Sequence, residues 1–157
     1  MSLSFTITSS SGFPADLASQ VSGLLRGVGA EIEIYPRFSP ATWEGGFLPI
    51  KVLSLPEQLA GLLRSSPVLS GAEIDFDEGV ASLRSPASRS VVDYAIFCLM
   101  AEAIARVTDG RLEMEGSECR LSADLFSDAI EATRGFVADA TDENFRQAAF
   151  ESWAAVE

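Results

Sequence analysis

Histidine is absent from this chain of 157 residues. Its side chain has the pKa closest to neutrality, which makes it the commonest general base and a frequent metal ligand. Other common catalytic and metal-binding motifs are missing too, because we find no phosphate-binding glycine loop, no nucleophile elbow and no zinc-type cysteine spacing. We therefore expect no catalytic residues of a familiar kind, no metal and no cofactor, which favours a protein that is not an enzyme.

Basic residues are also scarce, since 11 Lys and Arg face 23 Asp and Glu for a formal net charge of -12. Nucleic-acid-binding proteins gain most of their affinity from Lys and Arg on phosphates, and anionic membranes repel an acidic surface. The most apolar stretch, 91–107, is interrupted by Asp93, Glu102 and Arg106, so it does not suit a bilayer. We expect neither a nucleic-acid partner nor a membrane.

The two cysteines, Cys98 and Cys119, are too few for a disulfide framework. No signal-peptide pattern opens the chain, so the sequence predicts a cytoplasmic protein. Lys51 is the only lysine among the 11 basic residues, a bias typical of GC-rich bacterial genomes. Residues 1–3 resemble a cloning remnant.

The negative charge is concentrated in the second part of the chain. Residues 1–65 hold five acids and four bases, whereas residues 66–157 hold 18 acids and seven bases, so the net charges are -1 and -11. Such a split can steer a basic partner towards one surface, or it can simply keep the protein soluble.

The length and the 47% hydrophobic content suit one domain over residues 1–157. The clearest local pattern lies at 73–84, where apolar and polar residues alternate on both sides of a turn at Glu78–Gly79. This register pairs Glu73 with Arg84 across a β-hairpin. Asp75 to Gly79 superficially resembles a calcium loop, but its glycine falls at the wrong position.

A long helix is predicted over about 87–108, with Ser85 as its N-cap and Pro86 in its first turn. Its middle is apolar on all sides, so it should lie in the centre of the fold. Together with alternating strands and a second hairpin near residue 116, this predicts an α+β fold with a mainly antiparallel sheet backed by helices.

Several other elements are predicted from spacing. Pro49 indicates an edge or bulge position in a strand over 47–55, and Ser54 has the spacing to cap a short helix. Two helices are expected in the C-terminal part, one beginning at Ser122 and one running from Thr141 to Val156.

The loop 36–46 is a candidate binding element because it is long and contains Arg37, Trp43 and Glu44. The other possibility is that Trp43 and Phe38 are buried and hold the loop on the core, as large apolar side chains usually are.

A second candidate lies where the hairpin meets the long helix. Arg84 and Arg89 could form an anion pocket at the helix N-terminus. Alternatively, Arg89 and Asp93 could form an ordinary helix salt bridge at i, i+4 spacing.

The sequence supports three functional hypotheses. The first is a noncatalytic interaction module that binds a basic protein, as bacterial inhibitors of basic toxins do. The second is a small-molecule-binding domain or a histidine-free enzyme that uses the loop 36–46 with Arg84 and Arg89. The third is self-association through Phe150 and Trp153.

Overall fold

In a computed structural model, which describes residues 3–85 and 89–157, an antiparallel β-sheet carries the α-helices on one of its faces. The strands are β1 (Leu3–Thr8), β2 (Ile32–Ile34), β3 (Phe47–Val52), β4 (Val68–Asp77), β5 (Val80–Ser85), β6 (Arg111–Met114), β7 (Ser117–Cys119) and β8 (Ala148–Ala149). The α-helices are α1 (Leu17–Arg26), α2 (Val91–Val107) and α3 (Ser127–Ala138), and short 3-10 helices span Glu57–Leu62, Asp142–Phe145 and Trp153–Val156.

Seven strands lie in the order β2-β3-β4-β5-β1-β6-β7, with every neighbouring pair antiparallel. The two-residue β8 pairs with Val68 and Leu69 at the start of β4, where β5 does not reach. The predicted α+β class, with a mainly antiparallel sheet backed by helices, is therefore confirmed.

The hairpin β4–β5 has the predicted register, with Glu73 opposite Arg84 and Phe76 opposite Ala81. Its turn places Glu78 and Gly79 at positive φ, as a tight two-residue hairpin turn requires. The strand β4 begins earlier than the alternating pattern, at Val68, because its first half pairs with β3.

The central position of α2 is also confirmed, since its residues from Ala95 to Ala105 are all buried. Its start differs from the prediction. Ser90 is the N-cap, with its hydroxyl accepting from the Asp93 N–H, while the Asp93 carboxylate accepts from the Ser90 N–H. Ser85 instead ends β5 and is buried. The predicted first turn at 86–88 lies outside the described residues.

The two faces of the sheet have opposite character because side chains alternate along each strand. The inner face packs against α2, which in turn packs against α1 and α3. This face supplies the sheet side of the core: Phe5, Ile7, Ile32, Ile34, Leu48, Ile50, Val52, Val68, Ala72, Ile74, Ala81, Leu83 and Leu112.

The prediction that Pro49 marks an edge or bulge position is wrong, because β3 lies between β2 and β4 and its register with β4 is unbroken through Pro49. The Pro49 carbonyl accepts a hydrogen bond from the Tyr35 N–H, just beyond the end of the three-residue β2. In a regular strand, the N–H and C=O of one residue point to the same side. The side of Pro49 that lacks an N–H therefore faces the end of the short strand β2. The absence of this donor costs few hydrogen bonds between the two strands there.

Two predicted helix starts are also wrong. Ser54 does not cap a helix, since its hydroxyl donates to the Gly29 carbonyl and the 3-10 helix begins at Glu57. The helix α3 begins at Ser127 rather than Ser122. The reason is the buried Glu102, whose carboxylate accepts from the Phe126 N–H at 2.6 Å and holds the preceding residues in a turn.

The helix predicted from Thr141 to Val156 does not form. Thr141 and Asn144 make a capping box, but it starts only a single 3-10 turn. The chain then pairs with β4 and crosses the outer face of β2 and β3, where the Phe150 ring lies under the Lys51 ammonium group and Trp153 packs on Tyr35. In the described parts of the chain, we find no helix with the length and apolarity to cross a membrane.

Candidate functional site

The outer face of β4, β5, β1, β6 and β7 is a polar surface, which we call the open face. Its carboxylates lie on β4 (Glu73, Asp75 and Asp77) and on β6 and β7 (Glu113 and Glu118). The central strands β5 and β1 carry mostly short side chains: Ser4, Thr6, Thr8, Val80 and Ser82. Its basic groups are Arg84 and Arg111. Short side chains on the two central strands thus lie between carboxylates on the outer strands, and we call this central strip with its acidic sides the trough.

One row across this face contains three carboxylates. Asp75 lies opposite Ser82, Ser82 opposite Thr6, Thr6 opposite Glu113, and Glu113 opposite Glu118. Like charges directly opposite one another on neighbouring strands destabilise a sheet. Arg111 offsets part of the repulsion, with its Nη2 at 2.8 Å from the Glu113 carboxylate.

Arg84 lies on the β4 side of the trough. Its Nη2 is 3.6 Å from the Asp75 carboxylate, and its Nε is 3.9 Å from that of Glu73. Its side chain remains 57% exposed, so these are surface ion pairs of small energy. A cationic partner can therefore compete with Arg84 for both carboxylates.

The loop 36–46 borders the open face. The Trp43 indole N–H donates to the Ile74 carbonyl at 2.9 Å, and Phe38 is buried beside it. The loop backbone passes close to Asp75, because a Cβ at Gly45 would lie 2.1 Å from the Asp75 carboxylate. Trp43 thus holds the loop on the core, as the second of the two hypotheses for this loop expects, while Glu44 remains exposed at the rim.

Arg37 contacts a different part of the protein from Trp43 and Glu44. Its Nε is 3.6 Å from the side-chain carboxylate of Glu157, which also accepts from the Tyr35 hydroxyl at 2.9 Å. These contacts hold the end of the chain against the outer side of β2. Arg37 therefore serves the C-terminal segment in this structure, and the loop does not present it together with Trp43.

A cavity of about 410 Å³ lies elsewhere, between the first turn of α2, the start of β4 and residues 141–148. It brings together Arg89 and Asp93 from the sequence-based candidates, but Arg84 does not line it. Strand alternation explains the separation, since it places Arg84 on the open face. Its polar lining comes from Arg89, Ser90, Asp93, Thr141, Glu143, Asn144, Arg146 and Gln147.

Asp93 occupies the position where an anion would approach the α2 N-terminus. Its carboxylate accepts from the Ser70 hydroxyl at 2.7 Å and from the Ser90 N–H at 3.2 Å. A carboxylate in the first helical turn already provides the negative charge that the helix dipole favours. The geometry does not favour the simple anion pocket that the sequence suggested.

Arg89 is held by aromatic contacts. Its guanidinium lies 5.0 Å from the ring centres of both Tyr94 and Phe136, which stack on each other at 4.5 Å. The Asn144 side-chain amide donates to the Arg89 carbonyl at 3.1 Å. These contacts tie the start of α2 to α3 and to the C-terminal segment.

Thiol chemistry has little support in the structure. Both cysteines are free and line a small apolar pocket of about 150 Å³ beside Phe5 and Leu112. Burial raises the pKa of the Cys98 thiol to about 12, so it stays protonated at neutral pH. Within residues 3–85 and 89–157, we find no group of three or more acidic or cysteine side chains placed to hold a metal ion.

Comparison with known proteins gave no match among family models, curated proteins or solved structures.

Sequence reasoning missed the opposed pair Glu113 and Glu118 and the cavity residues Asn144 and Gln147. A signal for the first existed, because a two-residue turn at Glu115–Gly116 sets the two glutamates opposite each other. No local signal existed for the others, which reach the α2 N-terminus from the far end of the chain.

Proposed function

We propose that the protein is a noncatalytic interaction module whose open face binds a basic, extended segment of a partner protein. The observation that carries the proposal is the arrangement of carboxylates along both sides of the trough. Glu113 faces Glu118 although this costs stability, and a sheet selected for stability alone would favour opposite charges there. Arrangements that break such a rule are expected at functional sites.

The shape of the face favours an extended segment. The floor of the trough is formed by β5 and β1. It is therefore two strands wide, which is about 10 Å at the usual strand spacing. Apart from Arg84, the outward side chains of these strands are short, so a chain lying along β5 and β1 could place Lys or Arg side chains towards Asp75 on one side and Glu113 on the other. Complementary charge of this kind increases the association rate and suppresses wrong partners.

Replacing Arg84 tests this proposal, because the proposal predicts whether the affinity for a basic peptide rises or falls. Because it neutralises Glu73 and Asp75, the variant Arg84→Ala makes the face more acidic. We expect this variant to bind the peptide (Arg-Thr)4 about two- to fivefold more tightly, as expected for a surface charge worth up to about 1 kcal/mol. Isothermal titration calorimetry at low salt measures the change.

The matched control is Arg134→Ala, which removes an equally exposed arginine from an ion pair with Glu131 on α3. It should leave the affinity almost unchanged, and the neutral peptide (Gln-Thr)4 should not bind. If Arg84→Ala weakens binding, or if both arginine variants strengthen it equally, the partner does not lie on the open face.

A further inference from the structure

The cavity between α2, β4 and residues 141–148 has the size and the chemistry of a small-molecule site. Its volume of about 410 Å³ falls within the 300–1,000 Å³ of typical ligand pockets. We propose that it binds a zwitterionic ligand of the free amino acid class, with the ammonium group on its acidic side and the carboxylate on its arginine side. This site is separate from the open face and does not depend on the proposed protein partner.

The acceptor side of the cavity carries more capacity than the protein uses. Among the described residues, the Asp93 carboxylate accepts from the Ser70 hydroxyl and the Ser90 N–H, and Glu143 is an exposed carboxylate that lines the cavity. An ammonium group supplies three donors and a compensating charge.

The donor side is provided by Arg146. Its side chain is exposed at the cavity, and the described residues offer it no ion pair or side-chain hydrogen bond. A guanidinium group recognises a carboxylate through two parallel hydrogen bonds. The cavity thus presents both charge types on its walls, which suits a ligand that carries both and disfavours a ligand that carries one.

The cavity lies between two parts of the chain that are far apart in sequence, so a bound ligand would connect them. Glu143, Arg146 and Gln147 belong to the segment that precedes β8, while Asp93 belongs to α2. A ligand bound to both would hold this segment against the helix. Binding should therefore raise the free energy of unfolding as the ligand concentration rises above its dissociation constant.

The test uses the full chain and a panel of the common L-amino acids, each measured by isothermal titration calorimetry. For every amino acid that binds, the amine without the carboxylate and the acid without the ammonium are measured at the same concentrations. We expect at least one amino acid to bind, and both of its single-charge analogues to bind tenfold or more weakly. In proton–nitrogen correlation spectra of protein labelled selectively at asparagine, the side-chain amide of Asn144 should shift on binding, and its signal is assigned directly because the chain has no other asparagine.

Arg146→Ala should weaken the binding about tenfold or more without changing the unfolding midpoint, because this exposed side chain makes no contact that holds the fold. Arg120→Ala, an exposed arginine away from the cavity, is the matched control and should bind normally. Failure of the whole panel to bind at millimolar concentration would overturn the proposal. Equal binding of a single-charge analogue, or full binding by Arg146→Ala, would overturn it as well.

Discussion

Glu102 is the residue whose replacement gives the sharpest test of the fold. Only 4% of its side chain is exposed, and its carboxylate accepts from the Arg106 Nε at 2.9 Å and from the Phe126 N–H at 2.6 Å. Arg106 in turn donates to the Ser122 carbonyl at 2.7 Å. This network joins the central helix to the turn that precedes α3.

Replacing Glu102 by alanine leaves a buried N–H without an acceptor and a largely buried guanidinium without its carboxylate. Breaking a buried pair from one side costs about 3–5 kcal/mol. For a domain of this size, that loss lowers the Tm by roughly 6–20 °C. Glu102→Gln keeps an acceptor for the Phe126 N–H and should lose only about 1–3 kcal/mol.

Urea unfolding followed by circular dichroism measures both losses. The control is Glu131→Ala, because the Glu131–Arg134 pair on α3 is largely exposed and should contribute less than about 1 kcal/mol. The expected order of destabilisation is Glu102→Ala, then Glu102→Gln, then Glu131→Ala. A loss below about 1 kcal/mol for Glu102→Ala would refute the buried network.

Three further outcomes can be measured by urea unfolding. Gly71→Ala should destabilise the protein by about 1–3 kcal/mol, since a Cβ at Gly71 would lie 2.2 Å from the Leu48 carbonyl oxygen; a neutral result would contradict the close strand approach. Trp43→Phe keeps an aromatic ring but removes the hydrogen bond to Ile74, so it should cost about 0.5–1.5 kcal/mol; no change would show that the bond does not hold the loop. Burial raises the pKa of Cys98 from 9.0 to about 12, so the folded state retains a proton that the unfolded state releases. This contribution to stability is complete below pH 9 and is lost as the pH rises towards 12, and Cys98→Ala should flatten the decline.

The parts of the fold that depend on neighbours in sequence could be predicted. The hairpin β4–β5 combines alternation, a turn with glycine and a Glu73–Arg84 pair within a short stretch of chain, so its register was readable. The central position of α2 followed from its apolar surface on all sides.

The elements that were predicted wrongly depend on contacts between residues that are far apart in the sequence. The start of α3 depends on Glu102, which is 24 residues before Phe126 in the sequence. The C-terminal segment has apolar residues at helical spacing, but Phe150 and Trp153 find their partners on β3 and just beyond β2. Periodicity alone could not distinguish a helix from an extended segment whose aromatic rings cover a sheet.

The candidate site shows the same division. Arg84 and Arg89 are close in sequence, yet strand alternation turns Arg84 to the open face while Arg89 joins the cavity. The acidity of the second part of the chain was visible in the composition. The arrangement of these carboxylates along the two sides of the trough could not be predicted, because it depends on the order of the strands in the sheet.

The carboxylates of the open face are proposed to bind a basic segment of a partner protein. The most direct test compares two double variants that remove the same charge, Glu73→Gln with Glu118→Gln on the open face and Glu57→Gln with Glu131→Gln away from it. We expect the first pair to weaken binding of (Arg-Thr)4 roughly 2- to 30-fold at low salt, and the second pair to change it much less. Equal weakening by both pairs would show that only the net charge of the protein determines binding and that the open face is not the binding surface.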